Sequence, residues 1–435
     1  MSRSPVQVRS LAPFIGEIMN PVTIIPTYVS NPRRQDGDQK ILTQYDHMTP
    51  LNEEGELDRC LKSIARVDNS GLVIILVVAQ AGIEEVALEK IKRTAANNPD
   101  VPTMVVGTPQ VDLLKRRLEQ IGEVEIARKI KLVGYGNVRN VGLILAQAFG
   151  FDAVIFIDDD EIIEDPDFFK KAVYGLGKLT PSGIPILVKS GYYINQQGTH
   201  FSTWEDAWYN KFWQQGHAFN ETIAGAMGGA RLTRSNHVCG GCFAIHKEAF
   251  SRMSFDPYIA RGEDLDYLLN LRMHGSDVWF DNKWWLRHMP PATKSEGRRF
   301  RQDIYRWLYE QAKIEFSWAN IDLQKVTAAS LMPYPGAMLG KGLKGRIGLT
   351  ARLRSFGRPD RKEYAAAARA AKRDAVDYAE RNCTKYFDHA RLWPKMMKAI
   401  DSDRVVSSQI LSMSTEIPRR EIDPGETCEI QLNIG

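Results

Sequence analysis

The feature that most constrains the fold is an apolar run that ends abruptly in acidic residues. Residues 153–157 are apolar and mostly β-branched, and Asp158, Asp159, Asp160 and Glu161 follow directly. This length and composition are typical of a strand that is buried on both faces. A strand interior does not bury three unpaired carboxylates, because each would need a compensating charge or hydrogen bonds. The sequence therefore predicts that the acids lie just past the C-terminal end of a buried strand.

That position has a chemical consequence. The carboxyl ends of strands in open α/β sheets are where ligands bind. Adjacent carboxylates repel one another, and a divalent cation offsets the repulsion. Oxygen ligands of this kind suit Mg²⁺ or Mn²⁺. The alternative is an acidic turn at the end of a strand without a metal, and this stretch alone leaves both open.

Strand and helix patterns alternate through the first 165 residues. Strand patterns occupy residues 22–25, 72–78, 104–106, 132–133 and 153–157, and helical patterns occupy residues 53–64, 84–95, 111–129 and 134–149. This alternation predicts a mostly parallel, doubly wound sheet. The chain has no G-x-G-x-x-G after its first strand, which disfavours a nicotinamide or flavin dinucleotide site. It also has no G-x-x-x-x-G-K-[ST], which excludes a P-loop.

The remaining patterns are less regular. A strand interrupted by glycines is predicted at residues 238–245, a helix at 261–273, and two short strands at 278–280 and 284–288. A basic helical segment follows to residue 319. An alanine-rich helix is predicted at 363–381, and the tail after Leu411 is expected to be irregular.

Composition sets broad limits on function. The chain has 435 residues, of which 43% are hydrophobic and 25% charged, an ordinary soluble globular composition. The net charge of +4 gives no indication of nucleic-acid binding. Five cysteines form no disulfide framework and fit a reducing cytosol. No apolar run approaches the ~18–20 residues of a membrane span, and the first 18 residues lack the apolar core of a signal peptide.

Several short motifs occur in a fixed order between residues 20 and 290. They are a strand followed by Pro26-Thr27-Tyr28, then E-L-D-R-C-L-K-S-I, V-R-N-V-G-L, F-I-D-D-D, C-G-G-C-F-A-I-H-K-E-A-F and R-G-E-D-L-D-Y. In this order they resemble the GT-A class of nucleotide-sugar glycosyltransferases, and most of all their family-2 branch. The resemblance implies an α/β fold of the GT-A type, a doubly wound mixed sheet with a Rossmann-like nucleotide half, an acceptor half and a helical C-terminal extension.

The resemblance also implies a division of the chain. We expect a nucleotide-sugar-binding half at 19–165, an acceptor-binding and catalytic half at 166–295, and the helical extension at 296–411. Residues 1–18 are expected to be a disordered leader or tail, and residues 412–435 a flexible tail.

The resemblance implies donor contacts at the ends of the first strands and in the helix before the acids. Pro26, Thr27 and Tyr28 would border the nucleotide base. Gln80 stands where the family usually has an acidic residue that contacts the base or ribose. The pair Arg139-Asn140 matches an element near the base and the diphosphate.

The resemblance assigns the acids to the D-x-D motif of the family. Asp158 and Asp160 match its ends, one contacting the donor ribose and the other ligating Mn²⁺ or Mg²⁺ on the diphosphate. Asp159 could replace either, because three consecutive aspartates leave the alignment ambiguous by one. His288 is the candidate third metal ligand, since neutral imidazole suits Mn²⁺. A surface histidine without a metal is the alternative there.

A second acidic pair, Glu263-Asp264, stands at the head of a predicted helix, where the helix N-terminus favours the anionic form. In the inverting members of the family, the aspartate of this pair is the general base, and we assign that role to Asp264. An acidic residue in a first helical turn is common regardless of function, which is the alternative.

Together these matches imply a metal-dependent glycosyltransferase. It would move a sugar from a nucleoside-diphosphate donor to a hydroxyl of a saccharide, glycolipid or small-molecule acceptor, with inversion. A retaining enzyme on the same fold, a sugar nucleotidyltransferase and a non-catalytic carbohydrate-binding protein are the alternatives. Some of a group of aromatic residues could stack on acceptor sugars, although core packing is the simpler explanation for most of them: Tyr192, Tyr193, Trp204, Trp208, Trp213, Trp284 and Trp285.

Residues 341–362, which begin with Lys341 and end with Lys362, mix basic and apolar residues. Such a segment could lie on an anionic membrane surface, and a solvated basic face is the alternative. We therefore expect a cytoplasmic protein, with peripheral contact at the inner face of the membrane as a further expectation, and no nucleic-acid partner.

Overall fold

The structure is a computed structural model that describes residues 19–32, 41–293 and 295–415. The expected leader at 1–18 and residues 416–435 of the expected tail lie outside this part of the chain. The strands are β1 (Pro21–Ser30), β2 (Thr49–Pro50), β3 (Val73–Ala79), β4 (Thr103–Val106), β5 (Ala153–Phe156), β6 (Glu161–Ile162), β7 (Val188–Ile194), β8 (Leu232–Arg234), β9 (Phe243–His246) and β10 (Trp279–His288).

Helices connect the strands and form the C-terminal region. They are α1 (Leu57–Ile64), α2 (Glu84–Ala96), α3 (Thr108–Gln120), α4 (Val124–Ala127), α5 (Tyr135–Phe149), α6 (Phe168–Val173), α7 (Gln215–Met227), α8 (Lys247–Phe250), α9 (Glu263–Met273), α10 (Glu296–Ser317), α11 (Leu343–Gly357), α12 (Arg361–Ala370), α13 (Asp374–Asn382), α14 (Lys385–Ala399) and α15 (Arg404–Thr415). Within the described ranges, no helix has the length and hydropathy to cross a membrane.

One mixed sheet forms the centre of the molecule, in the order β4-β3-β1-β5-β9-β7-β10-β6. The first four strands of this order are parallel, as the alternating pattern predicts. Strand β9 is antiparallel to both β5 and β7, and β10 is parallel to β7. The remaining strands, β2 and β8, pair with β1 and β10. The sheet is therefore parallel from β4 to β5 and mixed from β5 to β6.

Helices cover both faces of the sheet. Along β1 and β3, Ile24 and Ile74 pack on one side with residues of α5, whereas Ile25 and Ile75 pack on the other with residues of α1. Both sets are fully buried, because successive side chains of a strand point to opposite faces. This is the doubly wound arrangement that the sequence predicts.

The first strand is longer than predicted. It was expected to end at Pro26, but β1 continues to Ser30. Its last ladder bond to β5 runs from Ile157 N to Ile24 O, at 3.1 Å. The backbone of Pro26 is directed toward β5, like that of Ile24, but β5 has already ended at this level. The N–H that proline lacks would therefore have no strand partner, and its absence costs no hydrogen bond.

Other expectations also differ from the structure. Residues 132–133 form no strand, because Leu132 packs into the core ahead of α5. Only Phe243–His246 of the predicted strand at 238–245 is regular, since Cys242 N turns back to Cys239 O. The predicted helix at 363–381 is two helices, α12 and α13, and each packs against α10. Beyond Leu411 the helix α15 continues to Thr415, since Ile410 and Ser414 are buried.

The C-terminal helices do not form a separate body. Helix α15 packs on α3, α5 and β4. The residues just before it are attached there as well, by an ion pair of Asp403 with Arg117 (2.7 Å) and a hydrogen bond from Ser402 N to Gln147 O (3.0 Å). The end of the C-terminal region therefore packs on the part of the molecule that carries the first strands.

Candidate functional site

The three aspartates follow the C-terminal end of β5, where the sequence places them. Each has a different partner. Asp158 Oδ1 accepts a hydrogen bond from Nη2 of Arg139 (3.2 Å). Asp159 Oδ2 accepts one from the Thr27 hydroxyl (2.6 Å), and Asp160 Oδ2 lies 3.4 Å from Nε2 of His288. The three carboxylates therefore point to three different elements of the site.

His288 reaches Asp160 because β10 pairs with the short strand β6, in a register that places His288 opposite Glu161. Met289 N also donates to Asp160 O (3.0 Å), which fixes the end of β10 to the acidic loop. Burial alone would raise the pKa of Asp160, but the hydrogen bond and charge of His288 hold it below its ordinary value. Asp160 is thus the aspartate held in its anionic form.

The other two aspartates are closer to neutral. Burial, with the charge of Asp160, raises the pKa of Asp158 to about 6, against the opposing effect of Arg139. Burial and the same neighbour raise the pKa of Asp159 well above its ordinary range. A cation or a ligand hydroxyl at this position would compensate such carboxylates.

Glu161 is a site residue for which the sequence predicts no role of its own. It is fully buried, and its Oε2 accepts a hydrogen bond from Asp158 N (2.8 Å), which holds the acidic loop in place. Burial and the charges of Asp158 and Asp160 raise its pKa well above the ordinary range. Its position directly after the three aspartates is the sequence feature that could have indicated a role in the site.

Arg139 connects the acidic run after β5 with the pair Glu263-Asp264. Its Nε donates to Glu263 Oε1 (2.6 Å) while Nη2 reaches Asp158, and the guanidinium lies over the Phe156 ring at 4.9 Å. Its Nη1 is buried and has no hydrogen-bond partner within the described ranges. Glu263 therefore holds the arginine, and the arginine keeps one donor unused beside the acidic loop.

Asp264 points elsewhere, into a cleft of about 720 Å³. Its Oδ1 accepts only the N–H of its neighbour Leu265 (2.8 Å) among the hydrogen bonds of the described residues. Burial and the charge of Glu263 raise its pKa, against Arg306 and Arg139. A carboxylate with a raised pKa that faces a cleft can take a proton from a bound hydroxyl.

A second cavity connects His288 with this cleft. It has a volume of about 600 Å³ and is lined by Tyr193 and His288. It shares lining residues with the cleft of Asp264, namely Ser202, Thr203, Phe219 and Arg299. The cavity beside His288 therefore adjoins the cleft of Asp264.

Four predicted donor contacts lie at the nucleotide side and have structural partners. Tyr28 packs in an aromatic cluster with Tyr45 and Tyr135. Gln80 accepts a hydrogen bond from Asn31 N (2.8 Å). The two polar groups of Asn140 bond the backbone of Phe255, and Pro26 lies within β1. Among the hydrogen bonds of the described residues, Thr27 is the one predicted base contact that bonds the acidic loop.

The space beside the aspartates on this side is small. A cavity of about 100 Å³ lies between Asp159, Asp160, Tyr28 and His47. Burial lowers the pKa of His47, although Asp46 and Asp160 oppose this. No sequence pattern pointed to His47, which stands in a segment without regular periodicity. The cavity is far below the ~300–1,000 Å³ of ordinary ligand pockets.

The aromatic residues proposed for an acceptor divide between core and cleft. Trp284 is fully buried in the core. Trp204 and Trp213 line the cleft of Asp264, although Trp213 is also almost entirely buried. Trp208 is 59% exposed, and Tyr193 packs on the ring of His288 at 4.9 Å.

The residues fit a divalent cation in part. Asp160 and His288 offer one oxygen and one nitrogen 3.4 Å apart. Within the described residues no group of three or more histidines, cysteines and acids converges as a metal site. The chain would thus supply few ligands, which is how Mg²⁺ sites that also bind substrate phosphates and water are built.

Known proteins give three results. The mannosyltransferase PcManGT from Pyrobaculum calidifontis, in complex with GDP-Man and Mn²⁺, is similar at 14% identity and a TM-score of 0.41, over 91% of this chain and 88% of its own. A mycobacterial protein is similar at 14% identity and a TM-score of 0.36, over 67% and 74%. No curated protein matches. The model for the glycosyltransferase like family 2 matches residues 48–309, more than half of the chain. The chain therefore belongs to this family of glycosyltransferases, and its mixed sheet has the GT-A type of fold.

Proposed function

We propose that this glycosyltransferase is metal-dependent and moves a sugar from a nucleoside-diphosphate donor to a hydroxyl of a saccharide, glycolipid or small-molecule acceptor, with inversion. The observation that carries the proposal is the bridge made by Arg139. It joins Asp158 of the acidic loop to Glu263, the neighbour of Asp264. The bridge brings the elements of the donor acids and the acceptor acids together at one point.

On this proposal the donor diphosphate lies beside the acidic loop. Asp158 or Asp159 binds the ribose, and Asp160 with His288 holds Mn²⁺ or Mg²⁺. Bound there, the cation would stabilise the negative charge of the departing diphosphate. The guanidinium of Arg139, whose Nη1 is buried without a partner among the described residues, would add positive charge beside this position. Because the cavity beside Asp159 is small, the segment around His47 must move when the donor binds.

Asp264 then acts on the acceptor from the cleft. It takes the proton of the acceptor hydroxyl, whose oxygen attacks the anomeric carbon while the bond to the diphosphate breaks. Its raised pKa suits this role, since a general base works best with a pKa near the working pH. A retaining enzyme, in which Asp264 only orients the acceptor, is distinguished by the anomeric configuration of the product.

The donor site can be tested without knowing the acceptor. UDP-, GDP-, TDP- and CMP-sugars are added with Mn²⁺ or Mg²⁺, and the thermal unfolding midpoint is measured. A donor at ten times its Kd adds about 1.4 kcal/mol to the free energy of unfolding. We expect one nucleotide class to stabilise the wild type and D167N, an exposed acid outside the site, but not D160N. No stabilisation by any donor contradicts the proposal.

Contact with an anionic membrane through residues 341–362 stays a prediction. In its favour, α11 exposes Leu349, Arg352 and Phe356, which are spaced three and four residues apart and so share one helix face. Sedimentation with phosphatidylglycerol vesicles, but not with phosphatidylcholine vesicles, is the expected result. Equal binding to both lipids, or to neither, contradicts it.

A further inference from the structure

The C-terminal helix α11 contributes a basic side chain to the cleft that holds Asp264. Arg354 lines this cleft together with Trp213, Phe300 and Tyr364. The basic stretch of the sequence is therefore more than a solvated helix face. One of its arginines turns inward, toward the space in which we place the acceptor.

Arg354 is held in a fixed orientation. Its Nε donates to Asn210 Oδ1 (2.9 Å), and Asn210 in turn donates to Glu205 O (2.9 Å). The guanidinium lies 4.2 Å from the centre of the Phe300 ring, a favourable cation–π distance. These contacts orient the planar group before any ligand arrives.

Arg354 makes no ion pair with any residue that the structure describes, although Asp303 and Glu296 of the same cleft act on its charge. Two neighbouring arginines are paired: Arg358 with Glu205 (3.3 Å) and Arg261 with Asp46 (2.7 Å). Among the described residues, Arg354 makes a hydrogen bond only through Nε. Its Nη groups are not buried polar atoms without a partner. Burial accordingly lowers the pKa of Arg354.

We propose that Arg354 binds an anionic group, a phosphate or a carboxylate, carried by the acceptor. A guanidinium presents paired N–H donors that match these anions in a bidentate way, and a half-buried arginine without an ion pair gains most from such a partner. This inference rests on the proposed function, because it places the acceptor in the cleft of Asp264. It narrows the acceptor to an acidic saccharide, a phosphorylated small molecule or a lipid-linked phosphate.

The test uses inorganic phosphate as the probe, added to the full chain at constant ionic strength and without a donor. The Kd is taken from the rise of the thermal unfolding midpoint. We expect R354Q to weaken phosphate binding at least tenfold. R369Q, at an exposed position of α12 outside residues 341–362, is expected to bind like the wild type. R354K keeps the positive charge but lacks the paired N–H donors of a guanidinium. Its phosphate affinity is therefore expected to lie between those of the wild type and R354Q.

Wild-type phosphate affinity in both R354Q and R354K would overturn the proposal, because phosphate would then occupy another site such as that of the donor diphosphate. If R354Q does not fold, R354K alone decides in the same way. This test measures phosphate binding and needs no turnover. The Arg354 proposal can therefore fail while the proposed sugar transfer is correct, and the proposed sugar transfer can fail while Arg354 still binds phosphate.

A second arm identifies the source of the anion. Vesicles of phosphatidylcholine with phosphatidic acid are sedimented with the wild type and R354Q. Binding that depends on Arg354 indicates a lipid-borne phosphate. A phosphate response without such vesicle binding indicates a saccharide or small-molecule acceptor.

Discussion

Glycines next to charged side chains explain one pattern that the sequence left unresolved. A Cβ on Gly240 would lie 2.6 Å from Nη2 of Arg139, and one on Gly241 would lie 2.2 Å from Oε1 of Glu161. No side chain fits at either position. The interrupted strand at 238–245 therefore leaves room for two charged groups of the site. The sequence could not show this, because the partners lie far away along the chain.

Gly262, just before Glu263, allows a test at this scale. It has φ +70°, and a Cβ there would lie 2.1 Å from Cζ of Arg306. Gly275 has φ +77° with nothing within 4 Å. Alanine at either position costs about 1–2 kcal/mol for the left-handed backbone. Only G262A must also displace Arg306, and overpacking of this kind costs a further ~1–3 kcal/mol.

We therefore expect G262A to lose more unfolding free energy in urea than G275A, and to lose turnover as well. Equal destabilisation by the two substitutions would show that Arg306 is not fixed against Gly262.

Among the secondary-structure elements, one short strand pairing assembles the acidic part of the site. Strand β6 has two residues, yet its pairing with β10 brings His288 to Asp160. Sequence periodicity cannot detect a strand of that length. It also divided β10 in two, at 278–280 and 284–288, because the register of β10 against β7 shifts between Phe280 and Trp285.

Helix α10 is anchored to α9 by buried charges. Nζ of Lys313 contacts Asp256 (2.6 Å) and Asp266 (2.7 Å), and Tyr309 also donates to Asp256 (2.8 Å). All four side chains are almost completely buried. A lysine in an amphipathic helix is predicted to be exposed, so the sequence could not reveal this network. It fixes the helix whose first turn carries Asp264.

Helix α14 carries a buried histidine that makes stability depend on pH. Neither ring nitrogen of His389 has a hydrogen-bond partner within the described ranges. Burial lowers the pKa of His389 to about 4, whereas a histidine of the unfolded chain titrates near ~6.5. Between these values the unfolded chain holds a proton that the folded chain lacks. This group therefore lowers the free energy of unfolding as the pH falls, by up to about 1.4 kcal/mol per unit.

Replacing the histidine removes that contribution. Urea unfolding at pH values on both sides of ~6.5 is expected to show a shallower pH dependence for H389L than for the wild type. H274L, at an exposed position of α9's C-terminal end, serves as the control and is expected to keep the wild-type slope. A wild-type slope in H389L would show that His389 is not the group responsible.

At the scale of the whole molecule, the sequence predicts the parallel half well and the rest less completely. Alternating patterns identify β3, β4 and β5 with their helices, because each strand there is buried on both faces. The acids at 158–160 mark the edge where the site lies. The packing of α15 on α3 and the position of His47 beside Asp159 and Asp160 depend on contacts between distant parts of the chain. Such contacts leave no periodic signal.

We propose that a donor held at the acidic loop reacts with a hydroxyl activated by Asp264. The decisive measurement is the turnover of D264N with the donor found in the nucleotide-sugar panel, and the control is E296Q, which replaces an exposed acid of the same cleft. We expect D264N to bind the donor with a wild-type thermal shift, while its turnover falls by about 10²–10⁴ and that of E296Q changes little. Unchanged turnover in D264N would show that Asp264 is not the general base.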